Sequence, residues 1–362
     1  MFPIVIAAGG TGGHFFPAEA LASELLARGR RVALMTDARS GGLQSPVFAS
    51  VERLVISGAG IAGRGWRAGT AMLALTGGVV QARRILTHCN AAAVVGFGGY
   101  PCVPPVLAAR LMRHRAPVIL HEQNAVLGRA NRTLARYADV LALSFATTER
   151  VPETAATVVT GNPVRPSITE APYVPPTDTL RLLVLGGSLG ARVFSDVVPP
   201  ALAALPDAVR ARLSVVQQCR AEDLPRVRAA YDVAGIAAEL SAFFPDVAEK
   251  LAAAHLVIAR AGASTVAELA VVGRPAILVP LPGAIDDHQS ANARALVEAR
   301  GASLIAQGDF TPDALCERLA ALLASPDMLN HAAIAARTIA RPDATARLAD
   351  LVEQLMRQEA RA

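Results

Sequence analysis

One glycine-rich loop occurs twice in this chain, and the repetition constrains the fold more than any other feature. The first copy reads IVIAAGGTGGHFF, from Ile4 to Phe16, and the second LLVLGGSLGARVF, from Leu182 to Phe194. Each is an apolar strand, a glycine pair, a hydroxyl residue (Thr11 or Ser188), a further glycine and the start of a helix. A strand feeding a helix through such a loop aims backbone N–H groups and the positive end of the helix dipole at whatever lies above it, which makes an anion site. Two copies imply two similar α/β domains with parallel sheets, their loops facing one another across a cleft.

The rest of the sequence alternates strand and helix patterns, as a parallel α/β fold requires. Strands are expected at Phe2–Ala8, Arg31–Thr36, Leu54–Ile56, Ala92–Val95, Val118–Leu120, Val140–Leu143 and Val158–Thr160. The proline-rich stretch from Gly161 to Asp178 has no apolar period and reads as a linker. The pattern restarts at Leu180–Leu185 and continues at Ser214–Gln217, Leu256–Ala259 and Ala276–Val279. Leu348, Leu351, Val352 and Leu355 form an amphipathic stripe that needs an apolar surface to cover.

Composition narrows the function classes. The chain has 362 residues, 52% of them hydrophobic, 18% charged, with a net charge of +5. A basic, apolar protein suits nucleic acid, an anionic membrane surface or an acidic small molecule. Aromatic residues are only 4%, which argues against a base-stacking nucleic-acid platform. The N-terminal apolar run is short, has no basic flank and enters the glycine loop directly, so no signal peptide is expected. Cys89, Cys102, Cys219 and Cys316 have no CxxC spacing, so neither a zinc site nor a disulfide framework is expected.

The loops carry the chemistry. GGTGGH lacks the last glycine of the dinucleotide fingerprint and the GK[ST] ending of a P-loop, so neither NAD nor ATP fits. His14 opens the first helix, where the dipole disfavours an imidazolium. It is either a general base or a partner of a nearby loop carbonyl. GFGGYP (Gly96–Pro101) and HEQN (His121–Asn124) follow strands at the edge where open α/β sheets bind ligands. Tyr100 and Glu122 stand in these two loops. In RAGASTVAELA (Arg260–Ala270), Glu268 either caps its helix or accepts hydrogen bonds from ribose hydroxyls. Asp286, Asp287 and His288 are adjacent in sequence and converge poorly on one ion, so no metal site is assigned.

GGTGGH, GFGGYP, HEQN, GNPVR, GGSxGA, RAGASTVAE and DxxQxxNA stand here in an order that resembles a known family. It is the bacterial family that transfers N-acetylglucosamine (GlcNAc) to undecaprenyl-diphospho-N-acetylmuramoyl-pentapeptide in peptidoglycan synthesis. The resemblance spans essentially the whole chain. It implies a B-type glycosyltransferase fold, with two Rossmann-like domains at 1–162 and 163–340. The C-terminal helix, 341–362, would rejoin the first domain. It implies inverting transfer of GlcNAc from UDP-GlcNAc to the C4 hydroxyl of lipid I, giving lipid II.

Carried over residue by residue, the resemblance gives the donor chiefly to the second domain. Arg165 and Ser188 would hold the diphosphate, and Phe244 would meet uracil through its backbone. Ala263, Ser264, Thr265, Val266, Ala267 and Glu268 would cradle diphosphate, sugar and ribose, and Gln289 and Asn292 would read the GlcNAc. Thr11, Gly12, Gly13 and Asn124 would close over the donor from the first domain. The first loop, Tyr100 and Glu122 would serve the acceptor side, with His14 the base. Two positions depart from the family pattern: Leu189 replaces a glutamine of GGSQGA, and His288 replaces the first of two adjacent glutamines.

The chain has no DxD sequence, so no metal or other cofactor is expected; helix N-termini and Arg165 would stabilise the leaving UDP. The lipid acceptor implies a peripheral position at the cytoplasmic face of the inner membrane, with wall-synthesis proteins as candidate partners. Residues 61–86 combine Trp66, Met72, Leu73, Leu75, Val79 and Val80 with Arg64, Arg67, Arg83 and Arg84. Arg110, Arg113, His114 and Arg115 add a second basic cluster. The stretch reads either as a surface for an anionic leaflet or as a core helix with a solvated basic end. A UDP-GlcNAc 2-epimerase of the same fold and a non-catalytic nucleotide-sugar binding subunit are the competing readings.

Overall fold

The computed structural model describes the chain except residues 1, 10–11, 38–44, 57–65, 188–189, 324 and 360–362; the side chains of 12, 66–71 and 326 are also outside the description. Thr11, Ser188, Leu189, Arg64 and the side chains of Trp66 and Arg67 therefore lie outside the described residues. The chain divides into two compact units, Met1–Pro166 with Asp343–Ala362, and Ser167–Pro342.

The first unit holds a wholly parallel seven-stranded sheet. Its strands are β1 (Ile4–Ala7), β2 (Val32–Asp37), β3 (Glu52–Ile56), β4 (Ala93–Gly96), β5 (Val118–Glu122), β6 (Val140–Leu143) and β7 (Thr157–Val159). They lie in the order β3-β2-β1-β4-β5-β6-β7. The second unit has β8 (Leu180–Leu185), β9 (Leu213–Gln218), β10 (Ala237–Ser241), β11 (Leu256–Ala259), β12 (Ala276–Leu278) and β13 (Ala302–Leu304), in the order β10-β9-β8-β11-β12-β13. Every pair is parallel here too.

The central strands β1, β4 and β11 are continuous apolar runs because helices cover both faces of a parallel sheet. In each sheet the strand order reverses beside its first strand, between β1 and β4 and between β8 and β11. Loops leave the sheet in opposite senses there and open a crevice at the carboxyl ends of the strands. Both glycine-rich loops follow the strand at that reversal.

Seven helices carry or support the crevice residues and the outer surface: α1 (Gly12–Ala27), α2 (Trp66–Cys89), α3 (Val103–Arg110), α4 (Arg192–Ala203), α5 (Ala263–Val272), α6 (His288–Glu298) and α7 (Ala344–Glu359). The apolar stripe of α7 joins the core beneath α1: Leu348, Ala349 and Val352 are fully buried among Leu21, Leu25 and Phe48. Charge pairs reinforce this contact. Arg28 reaches Glu24, Asp350 and Glu353 at 2.7, 2.5 and 3.3 Å, and Arg30 reaches Glu353 at 2.6 Å. Burial opposes the charge on Arg28, but Asp350 and Glu24 outweigh it and raise its pKa.

Two strands escape the sequence reading, β10 and β13. Both are edge strands with half-exposed faces, AAELS and ASL, so neither carries a long apolar run. The strand expected at Val118–Leu120 continues to Glu122, because His121 and Glu122 still pair with Ala142 and Leu143 of β6.

Candidate active site

In the first unit the crevice residues converge on His14. Its Nδ1 lies 2.7 Å from the carbonyl oxygen of Phe97, the residue just after β4. The same nitrogen lies 2.7 Å from the side-chain amide of Gln123, just after β5. So the carbonyl bond expected as an alternative to a base is formed, at Nδ1. The ring rests on bare backbone. A Cβ built on Gly98 would come within 3.2 Å of His14 Cε1, and Gly98 and Gly99 have φ of +87° and +72°. GFGGYP therefore needs glycine twice over, for its backbone and for the imidazole. Tyr100 follows on a short 3-10 turn, with Gly99 as its N-cap.

Glu122 is 3% exposed. Its Oε1 accepts the backbone N–H and side-chain amide of Asn124, at 2.9 and 3.1 Å. Its Oε2 accepts Gly128 N–H and Asn131 Nδ2, both at 2.9 Å. Four donors tie this carboxylate to its own loop, so Glu122 shapes residues 123–131 rather than reaching outward. Asn131, which the sequence did not single out, also donates to the His121 carbonyl at 3.0 Å.

His121 is fully buried and packs against Phe97 with ring centroids 5.1 Å apart. Desolvation is the main force pushing its pKa down to about 4; the Gly161 carbonyl opposes this and nearby His14 adds to it. His121 is thus a neutral ring, its Nε2–H donated to Gly161 at 3.2 Å. Arg165 lies with its guanidinium carbon 5.2 Å from the centroid of the Phe16 ring, beside the first turns of α1.

In the second unit the glycine loop is braced by Gln218, a residue the sequence reading missed. Its Oε1 accepts Gly186 N–H at 3.1 Å, and its Nε2 donates to Gly187 and Ala242, at 3.0 and 3.2 Å. One amide at the end of β9 thus ties the loop before α4 to the segment that leads into Phe244. Phe244 is 5% exposed, with Lys250 Nζ 5.1 Å from its ring centroid, so its ring is not offered outward. Gly187 and Gly190 have φ of +83° and +68°, and a Cβ on Gly186 would lie 2.4 Å from Ala191 N.

The RAGAST loop crosses beside it. Gly262 is the N-cap of α5 in extended conformation. Val266 N–H already bonds the Gly262 carbonyl at 3.0 Å. Ala263, Ser264 and Thr265 therefore present the N–H groups that the helix itself does not satisfy. Ser264 Oγ is buried with no hydrogen-bond partner among the described residues. Ala267 and Glu268 follow one turn on, Glu268 at 8% exposure. Asn292, fully buried on α6, donates to Ala261 O at 3.2 Å and holds this loop. Gln289 accepts Leu281 N–H through Oε1 at 2.9 Å, which leaves its Nε2 hydrogens to donate. Arg260, also missed, ties the loop to Val279, Pro280 and Gln307 at 3.0, 3.0 and 2.6 Å. His288 donates Nδ1–H to Ile285 O at 2.7 Å.

The basic, apolar stretch of the first unit divides within α2. Ala82 and Leu86 near its end are fully buried, while Met72, Leu73 and Val80 are 63%, 75% and 47% exposed. The core-helix reading fits one half and the surface reading the other. Arg110 leaves the basic cluster: it donates to Tyr137 O at 2.5 Å and pairs with Asp139 at 3.0 Å. Arg113, His114 and Arg115 are exposed. Among the described residues no single helix is long and apolar enough to cross a membrane. No group of three or more His, Cys, Asp or Glu side chains among them is placed to hold a metal ion.

Comparison with known proteins gives the family and agrees with the two-domain parallel fold. The glycosyltransferase family 28 N-terminal domain matches residues 4–142 and the C-terminal domain of that family matches residues 181–355. A UDP-N-acetylglucosamine–N-acetylmuramyl-(pentapeptide) pyrophosphoryl-undecaprenol N-acetylglucosamine transferase of Granulibacter bethesdensis is 65% identical over 97% of this chain and 93% of its own length. A protein of the same name from Acidiphilium cryptum is 56% identical over 97% and 96%. The crystal structure of Acinetobacter baumannii MurG superposes with a TM-score of 0.80 at 33% identity, covering 98% of this chain and 100% of that one. A putative UDP-N-acetylglucosamine 2-epimerase from Listeria monocytogenes shares the fold at 14% identity, TM-score 0.66, covering 99% and 97%. The chain belongs to glycosyltransferase family 28, among the UDP-N-acetylglucosamine–N-acetylmuramyl-(pentapeptide) pyrophosphoryl-undecaprenol N-acetylglucosamine transferases.

Proposed function

We propose that this protein transfers GlcNAc from UDP-GlcNAc to the C4 hydroxyl of MurNAc in lipid I, forming lipid II with inversion at the anomeric carbon. The observation that carries the reading is the pair of glycine loops at the two sheet reversals, in a chain 65% identical over nearly its whole length to a transferase of that name. The second unit takes the donor. The first turn of α5 meets the diphosphate through the N–H groups of Ala263, Ser264 and Thr265, and Glu268 accepts from the ribose. Gln289 and Asn292 read the sugar, and the segment at Phe244 meets uracil. Thr11, Gly12, Gly13, Asn124, Arg165 and Ser188 are assigned to the donor as well.

The first unit takes the acceptor, with Tyr100 beside its diphosphate. His14 Nε2 removes the C4 proton as that oxygen attacks the anomeric carbon and the bond to UDP breaks. Charge then grows on the departing phosphate oxygens, where helix N-termini and Arg165 stabilise it. Met72, Leu73, Arg83 and Arg84 on α2 meet the anionic leaflet that carries the lipid. This makes the protein a peripheral one at the cytoplasmic face of the inner membrane.

The test is radiolabel transfer from UDP-GlcNAc to a short-chain lipid I analogue, with His14→Ala as control. No transfer by the intact protein rejects the function. Full activity of the control rejects only His14 as the base.

A further inference from the structure

His14 Nδ1 has two close neighbours, and their chemistry conflicts when the Gln123 amide turns its nitrogen toward the ring. The Phe97 carbonyl at 2.7 Å can only accept, so Nδ1 must carry a hydrogen. Gln123 Nε2, also at 2.7 Å, can only donate, so it would need a lone pair on the same atom. Turning the amide by half a rotation puts its oxygen at that position with no change of shape. Nδ1–H is then shared between two acceptors, and the contact is satisfied. Gln123 is 5% exposed and so has little freedom to swing away.

We infer that Gln123 is a positioning residue for His14: its amide oxygen, together with the Phe97 carbonyl, fixes the Nδ1–H tautomer and leaves the lone pair on Nε2. This rests on the reading of His14 as the base. The same two acceptors hold the Nδ1–H when Nε2 takes up a proton, so the ring keeps its orientation through the transfer. Without Gln123 the Nδ1–H loses one of these two acceptors, and the tautomer with its hydrogen on Nε2, which cannot act as a base there, gains population.

The test uses the full chain labelled with 15N-histidine, the His14 signals being assigned by their loss in His14→Gln. Long-range proton–nitrogen spectra report the tautomer directly. The wild type is expected as Nδ1–H. Gln123→Met, of similar length and without an acceptor, is expected to give mixed tautomers and a kcat lower by about tenfold, with the KM for UDP-GlcNAc within twofold. Gln123→Glu restores the acceptor, and is expected to restore the Nδ1–H tautomer and part of kcat. An unchanged tautomer in Gln123→Met overturns the inference, whatever happens to kcat. Full activity in His14→Gln removes the base assignment instead, and the spectra still decide whether Gln123 holds the ring.

Discussion

The imidazole of His14 lies against the backbone of Gly98, so close that a Cβ there would meet Cε1 at 3.2 Å. Gly99, next in sequence, would place its Cβ no nearer than 3.8 Å from the same ring. Both glycines have positive φ, and Gly99, with ψ 175°, lies in a region open essentially to glycine alone, so alanine at either one costs about 1–3 kcal/mol of backbone strain. Only Gly98→Ala also pushes the ring by a few tenths of an ångström. It should lower kcat about tenfold more than Gly99→Ala at a similar loss of thermal midpoint, since small misplacements of a base are costly. Equal kcat in the two variants would show that the ring position is not what matters.

Much of this arrangement is legible in the sequence, for a physical reason. Central parallel strands must be apolar on both faces, so β1, β8 and β11 announce themselves, and glycine loops follow from the backbone they need. Polar bracing is different. Gln123 meets His14 across 109 residues, and Gln218 gathers Gly186, Gly187 and Ala242 from separate loops. Nothing in local spacing encodes such a meeting. HEQN is visible as a polar site after a strand, yet its side chains do three different things: a buried neutral ring, a carboxylate that folds its own loop, and an amide that meets His14.

Burial of His121 should make folding pH-dependent. Its pKa is pushed down to about 4 in the folded state, against 6.5 unfolded. The unfolded chain therefore binds more protons in that interval, and stability is full above pH 6.5 and falls as pH drops toward 4. Between pH 7.5 and pH 5 the loss from this group alone is about 2 kcal/mol. Urea unfolding of His121→Gln should show a pH dependence weaker by that amount. A parallel dependence in both proteins would mean that His121 takes up its proton without opening the fold.

Arg274 holds the start of the second unit without any carboxylate. It is 1% exposed and donates to the carbonyls of Leu251, Ala252, Val272, Gly273, Ala171 and Pro172. Its guanidinium also lies 5.5 Å from the centroid of the Tyr173 ring. Arg274→Met keeps the stem but orphans several buried acceptors, and should cost about 3 kcal/mol or more. The chain around Ala171 should then become an early site of limited proteolysis. Wild-type resistance there would argue that the backbone finds other donors.

Arg83 and Arg84, exposed near the end of α2, give a charge test. Each basic residue near an anionic surface contributes about 1 kcal/mol. Reversing Arg83 and Arg84 to Glu together should therefore weaken partitioning onto phosphatidylglycerol-rich vesicles by at least about 30-fold, with little change on zwitterionic ones. Both side chains are exposed, so folding should be unaffected. Unchanged cosedimentation would move the membrane surface elsewhere on the protein.

Gln289 allows the sugar-reading role to be separated from the structural one. Its Oε1 accepts Leu281 N–H, so only the Nε2 hydrogens remain to donate to a GlcNAc hydroxyl. Gln289→Glu keeps an acceptor for Leu281 and removes the donor. Loss of one such bond at about 1–1.5 kcal/mol corresponds to roughly a tenfold rise in the KM for UDP-GlcNAc. UDP alone lacks the sugar, so its inhibition constant should stay within twofold, and thermal stability should be kept because the Leu281 bond survives. Should UDP weaken as much as UDP-GlcNAc, Gln289 would be shaping the loop at Leu281 and not reading the sugar.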